Sequence, residues 1–321
     1  MTVPNLADFY RGGAVVIAGG AGFIGSHLAE RLMALGAGVT VIDNELTGSR
    51  KNLAGSPAVT FIRADVTEPL PPLPPKPAAV FNLASAASPV HYTKYAIETL
   101  RAGSKGTENL LDLAEKSGAV FVQASTSEVY GDPDIHPQPE TYWGRVNPVG
   151  PRSMYDEAKR YGEALCAAYE RSRGANVRIA RIFNTYGPRM QLDDGRVVPN
   201  FIAQALRGQP LTVYGDGKQT RSFCYVSDLV DGLLRLGASD VRGPVNLGTG
   251  DERTILDFAG LIRKLTGAQS EIAFRPLPTD DPLQRKPDNT RARQLLGWEP
   301  VVPLEDGLKE TIRYFQKVMG A

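Results

Sequence analysis

Two short stretches hold side chains that together could oxidise an alcohol and then handle an acid. In "YDEAK", Tyr155 and Lys159 stand four residues apart, which places them on one face of a helix. A phenol is a poor base at neutral pH, and a neighbouring ammonium favours its ionised form. Tyr155 would then remove a proton from a substrate alcohol. In "STSEVYGDP" (125–133), Thr126 offers a hydroxyl to the same oxygen, and Glu128 is a carboxylate set among hydroxyls, just after the apolar run "AVFVQA". A surface turn would explain Glu128 equally well. A bare YxxxK is also common by chance, so the elements around these residues must decide.

Short apolar runs alternate with helix-like segments through the first 250 residues. Strands are expected at 13–19, 38–43, 59–64, 78–84, 119–125, 177–183 and 243–248, with helical patterns at 24–35, 94–117 and 153–173. Runs that are apolar throughout belong to a parallel sheet covered on both faces. Their alternation with helices predicts a doubly wound α/β fold. "PLPPLPPKP" (69–77) reads as a stiff loop between two strands. After residue 184, glycine, proline and arginine become frequent, as in loops that carry recognition. The expected division is a dinucleotide-binding domain of 1–183 with 222–250, and a smaller interleaved C-terminal substrate domain of 184–221 with 251–321.

"GGAGFIG" (19–25) follows the first strand and opens a helix. Gly19, Gly22 and Gly25 permit a tight turn and let backbone N–H groups approach a pyrophosphate at the helix N-terminus. Asp43 ends the next strand, where a carboxylate holds a ribose diol and repels a 2′-phosphate. NAD is therefore favoured over NADP, although Arg50 and Lys51 stand close by. Asp65, in "RADV", has the reach of an adenine amino group or of a plain turn residue. The positive ring of oxidised NAD would further favour a Tyr155 phenolate.

The 321 residues carry a formal net charge of +1 and are 42% hydrophobic, so no excess charge draws the chain to nucleic acid or a membrane. No apolar stretch is long enough for a membrane span, and "AVVIAGGAGFIG" is glycine-broken and lacks a signal peptide's basic leader. Two cysteines, Cys166 and Cys224, point to buried thiols in a reducing, cytoplasmic setting rather than a disulfide framework or metal site. His91 and His136 read as surface residues, Trp143 and Trp298 as packing residues.

The order GxxGxxG, Asp43, "STSEVYGDP", "YDEAK" resembles the extended short-chain dehydrogenase/reductases. With "VIDNELTGSRKN", "YWGRVNPVGPRSMYDEAKR", "RIFNTYGPRM", "DDGRVVPNFI", "LTVYGDGKQTRSF" and "QRKPD", the chain is similar along nearly its whole length to the UDP-glucuronate decarboxylases within that family. The resemblance implies a Rossmann-type fold and retained NAD. It implies that UDP-glucuronate is decarboxylated through a UDP-4-keto intermediate that is reduced to UDP-xylose. It also implies a homodimer. The implied cofactor site is Gly19, Gly22, Phe23, Ile24, Gly25, Asp43, Asn44, Thr47, Asp65, Val66, Leu83, Ser85, Tyr155, Lys159 and Thr185. The implied catalytic set is Thr126, Glu128, Tyr155, Lys159 and Arg285. Asn184, Arg189, Tyr214, Gln219, Arg221 and Arg285 are expected at the substrate. A salt bridge from Arg285 to Asp281 or Asp288 would be its structural alternative.

Two departures from the family pattern stand out. Ala102-Gly103 replaces Thr-Asn, which would loosen a loop near the cofactor, and Ala158 replaces a glycine, which favours the helix. A 4-epimerase or 4,6-dehydratase would share NAD and Tyr155. Dehydratases, however, carry an Asp-Glu pair where Ser127-Glu128 stands, and an epimerase has little use for an arginine at a carboxylate. A decarboxylase that releases the 4-keto pentose has the same motifs. A catalytically dead dinucleotide sensor would be expected to lack Tyr155 or Lys159.

Overall fold

The computed structural model describes residues 5–320 apart from Pro75 and Asp281. The seven apolar runs form one parallel sheet: β1 (Ala14–Ala18), β2 (Gly38–Asp43), β3 (Thr60–Arg63), β4 (Ala79–Asn82), β5 (Val120–Thr126), β6 (Val177–Ile182) and β7 (Pro244–Leu247). Their order is β7-β6-β5-β4-β1-β2-β3. The chain winds outward from β1 through β2 to β3, then crosses back to β4. The order therefore reverses between β1 and β4, and a crevice forms at the strand ends there. β4 and β5 are buried end to end, as their unbroken apolar runs require, whereas the edge strand β3 is partly exposed.

The helix Phe23–Ala34 opens at Gly22 without a side-chain cap, leaving its first N–H groups for another partner. The helix Ser153–Arg173 ends on Gly174 at φ +69°, a conformation that favours glycine. The segment 94–117, expected as one helical run, is divided. Tyr95 breaks it between the helices Pro89–Lys94 and Ala96–Arg101, and a π-turn at Ala102–Gly106 precedes the helix Thr107–Ser117. The expected loose loop at Ala102-Gly103 is thus a helical turn whose two glycines are buried. A Cβ on Gly103 would lie 2.6 Å from the Ala158 methyl, and one on Gly106 would lie 2.8 Å from Val66. Close helix packing accounts for both glycines.

Beyond the central sheet, Leu211–Tyr214 pairs with Ile272–Arg275, and Thr220–Ser222 lies between Glu252–Thr254 and Gln284–Arg285. Phe201, Phe223, Phe258 and Phe315 centre a second core beside them. Trp298 and Leu296, in the stretch read as part of the smaller domain, pack into the core of the first sheet instead. Trp143, read as a packing residue, is 89% exposed, because the segment that carries it runs over the surface. Cys166 and Cys224 are buried free thiols. No helix among the described residues is long and apolar enough to cross a membrane.

Candidate active site

One long cleft runs along the ends of β1, β4 and β5 and under the second core. Its lining includes Gly19, Gly22, Phe23, Ile24, Gly25, Thr47, Leu83, Ser85, Thr126, Glu128, Tyr155, Lys159, Asn184, Thr185, Arg189, Tyr214, Gln219, Arg221 and Arg285. Asp43, Asn44, Asp65 and Val66 are not in that lining. They lie beside it, at the ends of β2 and β3, because Asp43 is bonded into the glycine turn and Asn44 to Asp65.

The glycine turn is shaped to admit backbone and little else. A Cβ on Gly19, where φ is +77°, would meet the Leu83 carbonyl at 2.7 Å, and one on Gly25 would strike the Gly19 carbonyl. Asp43 is only 8% exposed. It accepts from Ala21 N at 3.0 Å and Glu45 N at 2.8 Å, which locks the carboxylate against the turn. Burial raises its pKa. Asn44 donates to Asp65 at 2.8 Å, and Thr67 also donates to Asp65, so a second carboxylate is fixed at the same rim. An uncapped helix start, a glycine cradle and a strand-end carboxylate together fit a dinucleotide.

Further along the cleft, Thr126 ends β5 and caps the 3₁₀ turn Ser127–Tyr130, its hydroxyl accepting from Glu128 N at 3.3 Å. The Thr126 hydroxyl faces the Tyr155 hydroxyl and lowers its pKa. Lys159 donates to the Ala124 carbonyl at 2.9 Å, and its ammonium lies 5.6 Å from the Tyr155 ring centre. Burial lowers the Lys159 pKa to about 8. Burial also pushes the Tyr155 hydroxyl up to about 12, against the Thr126 hydroxyl that lowers it. The depression expected from Lys159 does not appear, and desolvation of a nearly inaccessible phenol sets the direction.

Glu128 is not a surface turn residue. Its carboxylate is gripped by Arg285 on one oxygen and by Arg152, at 2.8 Å, on the other. Burial would raise its pKa, yet the charges of Arg285 and then Arg152 hold it at about 2. Arg285 therefore pairs with Glu128 rather than with Asp288; Asp281 lies outside the described residues. Arg285 Nε is buried and has no hydrogen-bond partner among the described residues.

Arg189 lines the cleft but is tied to Glu30. Arg221 is buried against the Thr220 carbonyl at 2.8 Å, Gln219 donates to the Tyr214 carbonyl at 2.7 Å, and Thr185 donates to the Phe183 carbonyl at 2.9 Å. His91, expected at the surface, lines the cleft and bonds Ser88.

Four residues join this site that the sequence reading did not assign. Arg152 lies one turn before Tyr155. The Tyr92 ring stacks on Tyr155 at 5.1 Å and an interplanar angle of 13°. Arg196, ion-paired with buried Asp194, also lines the cleft. Asp156 is buried with Oδ1 lacking a hydrogen-bond partner among the described residues. Burial and then the Glu128 charge raise its pKa to about 7. The i−3 spacing of Arg152 from Tyr155 was a legible signal; Tyr92, 63 residues before Tyr155, gave none.

Residues 15–248 match the NAD dependent epimerase/dehydratase family. UDP-glucuronic acid decarboxylase 1 of Xenopus tropicalis is 54% identical over 306 residues, which cover 94% of this chain and 72% of that protein. Among solved structures, an epimerase of Methanothermobacter thermautotrophicus superposes with a TM-score of 0.90 at 28% identity, over 98% of this chain and 96% of its own. A dTDP-glucose 4,6-dehydratase of Streptomyces venezuelae, solved with NAD bound, gives 0.85 at 28% identity over 96% and 98%. The family pattern spans the whole central sheet, and the identity to a decarboxylase is about twice that to the epimerase and dehydratase structures: the chain belongs to the NAD dependent epimerase/dehydratase family and, within it, to the UDP-glucuronic acid decarboxylases.

Proposed function

We propose that the protein converts UDP-glucuronate to UDP-xylose and CO2, with NAD retained through each cycle. The observation that carries this reading is the placement of Glu128, held between Arg285 and Arg152, in the same cleft as the Tyr155–Thr126 pair. A carboxylate-handling group thus stands beside an alcohol-oxidising one.

Gly19, Gly22, Gly25 and Asp43 would hold the cofactor's pyrophosphate and ribose, with Asn44 and Asp65 towards the adenine. Bound NAD supplies the acceptor, and later the donor, of a hydride at the sugar's C4. The chain's own residues manage the protons and charges. Tyr155, aligned by Thr126, takes the C4 hydroxyl proton as general base, and the Lys159 ammonium beside its ring offsets the charge it acquires.

Oxidation at C4 makes the C6 carboxylate part of a β-keto acid. The C5–C6 bond then breaks, CO2 leaves, and the electron pair passes into the ketone as an enolate. Arg285, an always-charged fork, would meet the carboxylate and then the enolate. Glu128 stays ionised at neutral pH, and its negative charge opposes retention of a second carboxylate in the cleft. A proton is added at C5, and C4 returns to an alcohol, with Tyr155 giving back its proton. The sum is UDP-glucuronate plus one proton to UDP-xylose plus CO2.

Asn184, Arg189, Tyr214, Gln219 and Arg221 would support the UDP half. Residues 1–183 with 222–250 would serve the cofactor, and 184–221 with 251–321 the UDP-sugar. Ile97 and Leu100 on one helix and Tyr161 on the helix packed beside it are exposed, which supports a homodimer built on these helices. The two free thiols accord with a cytoplasmic setting.

The test is one incubation with UDP-glucuronate, with CO2, nucleotide product mass and free reduced cofactor all measured. UDP-xylose formed with CO2 in equal amounts, and no free reduced cofactor, is the expected result. One reduced cofactor released per CO2 would show that the 4-keto sugar leaves instead.

A further inference from the structure

The segment that carries Arg285 is fastened to the central sheet through a buried amide. Asn246 on β7 is fully buried. Its Oδ1 accepts from the Tyr130 hydroxyl at 2.8 Å. Its Nδ2 donates to the Gln138 carbonyl at 2.9 Å and to the Asp288 carbonyl at 3.1 Å. Gln138, also fully buried, grips the same segment at three points: its Oε1 accepts from Lys286 N at 2.8 Å, its N donates to the Lys286 carbonyl at 2.9 Å, and its carbonyl accepts from Asp288 N at 2.9 Å. Tyr130 is in turn held by Arg181 at 3.0 Å, and Arg181 makes a two-pronged pair with Glu163, one turn beyond Lys159 on the Ser153–Arg173 helix. An unbroken run of buried and part-buried hydrogen bonds therefore joins the helix of Tyr155 and Lys159 to residues 286–288, directly after Arg285.

Each residue type in this run answers a requirement. Position 246 needs one acceptor and two donors at one point, and an asparagine amide supplies all three. Position 130 needs a donor at the end of a long side chain reaching away from the Glu128 turn, and the tyrosine hydroxyl supplies it. The turn also touches the segment directly, with Gly131 accepting from Arg285 at 3.4 Å and Asp132 from Leu283 N at 3.2 Å.

We propose that Asn246 and Tyr130 are positioning residues for Arg285, setting its guanidinium against Glu128 and the reacting carboxylate. This rests on the decarboxylase reading above. Neither residue lines the cleft, so both act through the backbone of 286–288. A displacement of about 1 Å at a catalytic group can lower turnover about 10²-fold, so loss of this anchor should be read in the decarboxylation step.

The experiment uses Tyr130→Phe and Asn246→Asp in the full-length protein. Tyr130→Phe removes one hydroxyl and leaves Arg181 with Glu163 and the Glu140 carbonyl. Asn246→Asp sets a carboxylate against two carbonyl oxygens. If it fails to fold, Tyr130→Phe decides alone. The expected result is CO2 release lowered about 10-fold by Tyr130→Phe and about 10²-fold by Asn246→Asp, with UDP affinity within about twofold of wild type.

A double-mutant cycle with Arg285→Lys separates positioning from general loss of structure. If Tyr130 works through Arg285, its effect shrinks to about twofold or less in the Arg285→Lys background. In the resting protein, amide hydrogen exchange over 283–289 should quicken in both variants, with the Ser153–Arg173 helix unchanged. Unchanged CO2 release, additivity with Arg285→Lys, or uniformly faster exchange with loss of UDP binding would each overturn the proposal. Wild-type protein that releases no CO2 would overturn the decarboxylase reading, and the exchange measurement would still judge the anchor.

Discussion

Glu128→Gln is the substitution that most directly tests the site. Glutamine keeps the size of the side chain and one carbonyl acceptor, but it turns an amino group toward one of two arginine donors. The carboxyl is held at about 2 against an ordinary 4.5, and its side chain is 16% exposed. At about 1.4 kcal/mol per pKa unit, the paired charge contributes about 3 kcal/mol. The folded-state pKa is depressed, so this stabilisation is complete above pH 4.5 and is lost as pH falls towards 2. Urea unfolding should therefore show the variant weaker by about 3 kcal/mol at pH 7, in the range for breaking a buried pair, with the gap to wild type narrowing below pH 4.5. If the same charge acts in decarboxylation, CO2 release should fall about 10²-fold, the rate equivalent of about 3 kcal/mol. Stability and CO2 release near wild type would return "STSEVYGDP" to a surface turn. Lost stability with normal CO2 release would make Glu128 a clamp for two arginines and remove it from the chemistry.

Three further outcomes follow from the same geometry. Tyr155→Phe keeps the ring stacked on Tyr92 and removes the proposed proton acceptor, so single-turnover cofactor reduction should fall about 10²–10⁴-fold while UDP-sugar titrations stay unchanged. Asp156 has its folded pKa raised from 3.8 to about 7, so its share of stability is complete below pH 3.8 and lost as pH rises to 7. Asp156→Asn should consequently gain melting temperature over wild type progressively between pH 4 and pH 7, and a constant difference would refute the shift. Gly103→Ala sets a methyl 2.6 Å from the Ala158 methyl and 2.8 Å from the Ala158 carbonyl oxygen and should destabilise by about 1–3 kcal/mol, and Ala158→Gly should leave most of that loss in the double variant because the backbone contact remains.

What was legible in the sequence is what is local in it. The glycine turn and Asp43 lie within 25 residues of one another, and Tyr155 and Lys159 lie within one helical turn, so spacing alone carries their geometry. The seven strands were legible because a sheet buried on both faces leaves unbroken apolar runs. The break at Tyr95 and the π-turn at 102–106 were not, because periodicity does not report which helix lies opposite, and in the turn Gly103 packs on Ala158 and Gly106 on Val66.

The surroundings of Glu128 show the same limit at the site itself. Its partners stand 24 and 157 residues away, and nothing in "STSEVYGDP" states that two guanidinium groups will converge on one carboxylate. Once they do, the rest of the motif acquires a purpose that composition could not reveal. Thr126 faces Tyr155 and caps the turn, Glu128 takes Arg285, Gly131 and Asp132 accept from the Arg285 segment, and Tyr130 reaches Asn246 to hold that segment from behind. The stretch is a junction between the helix of Tyr155 and Lys159 and an arginine delivered from the far end of the chain. A substitution anywhere in 126–132 should therefore be judged by how it moves Arg285, and local turn propensity is the weaker guide.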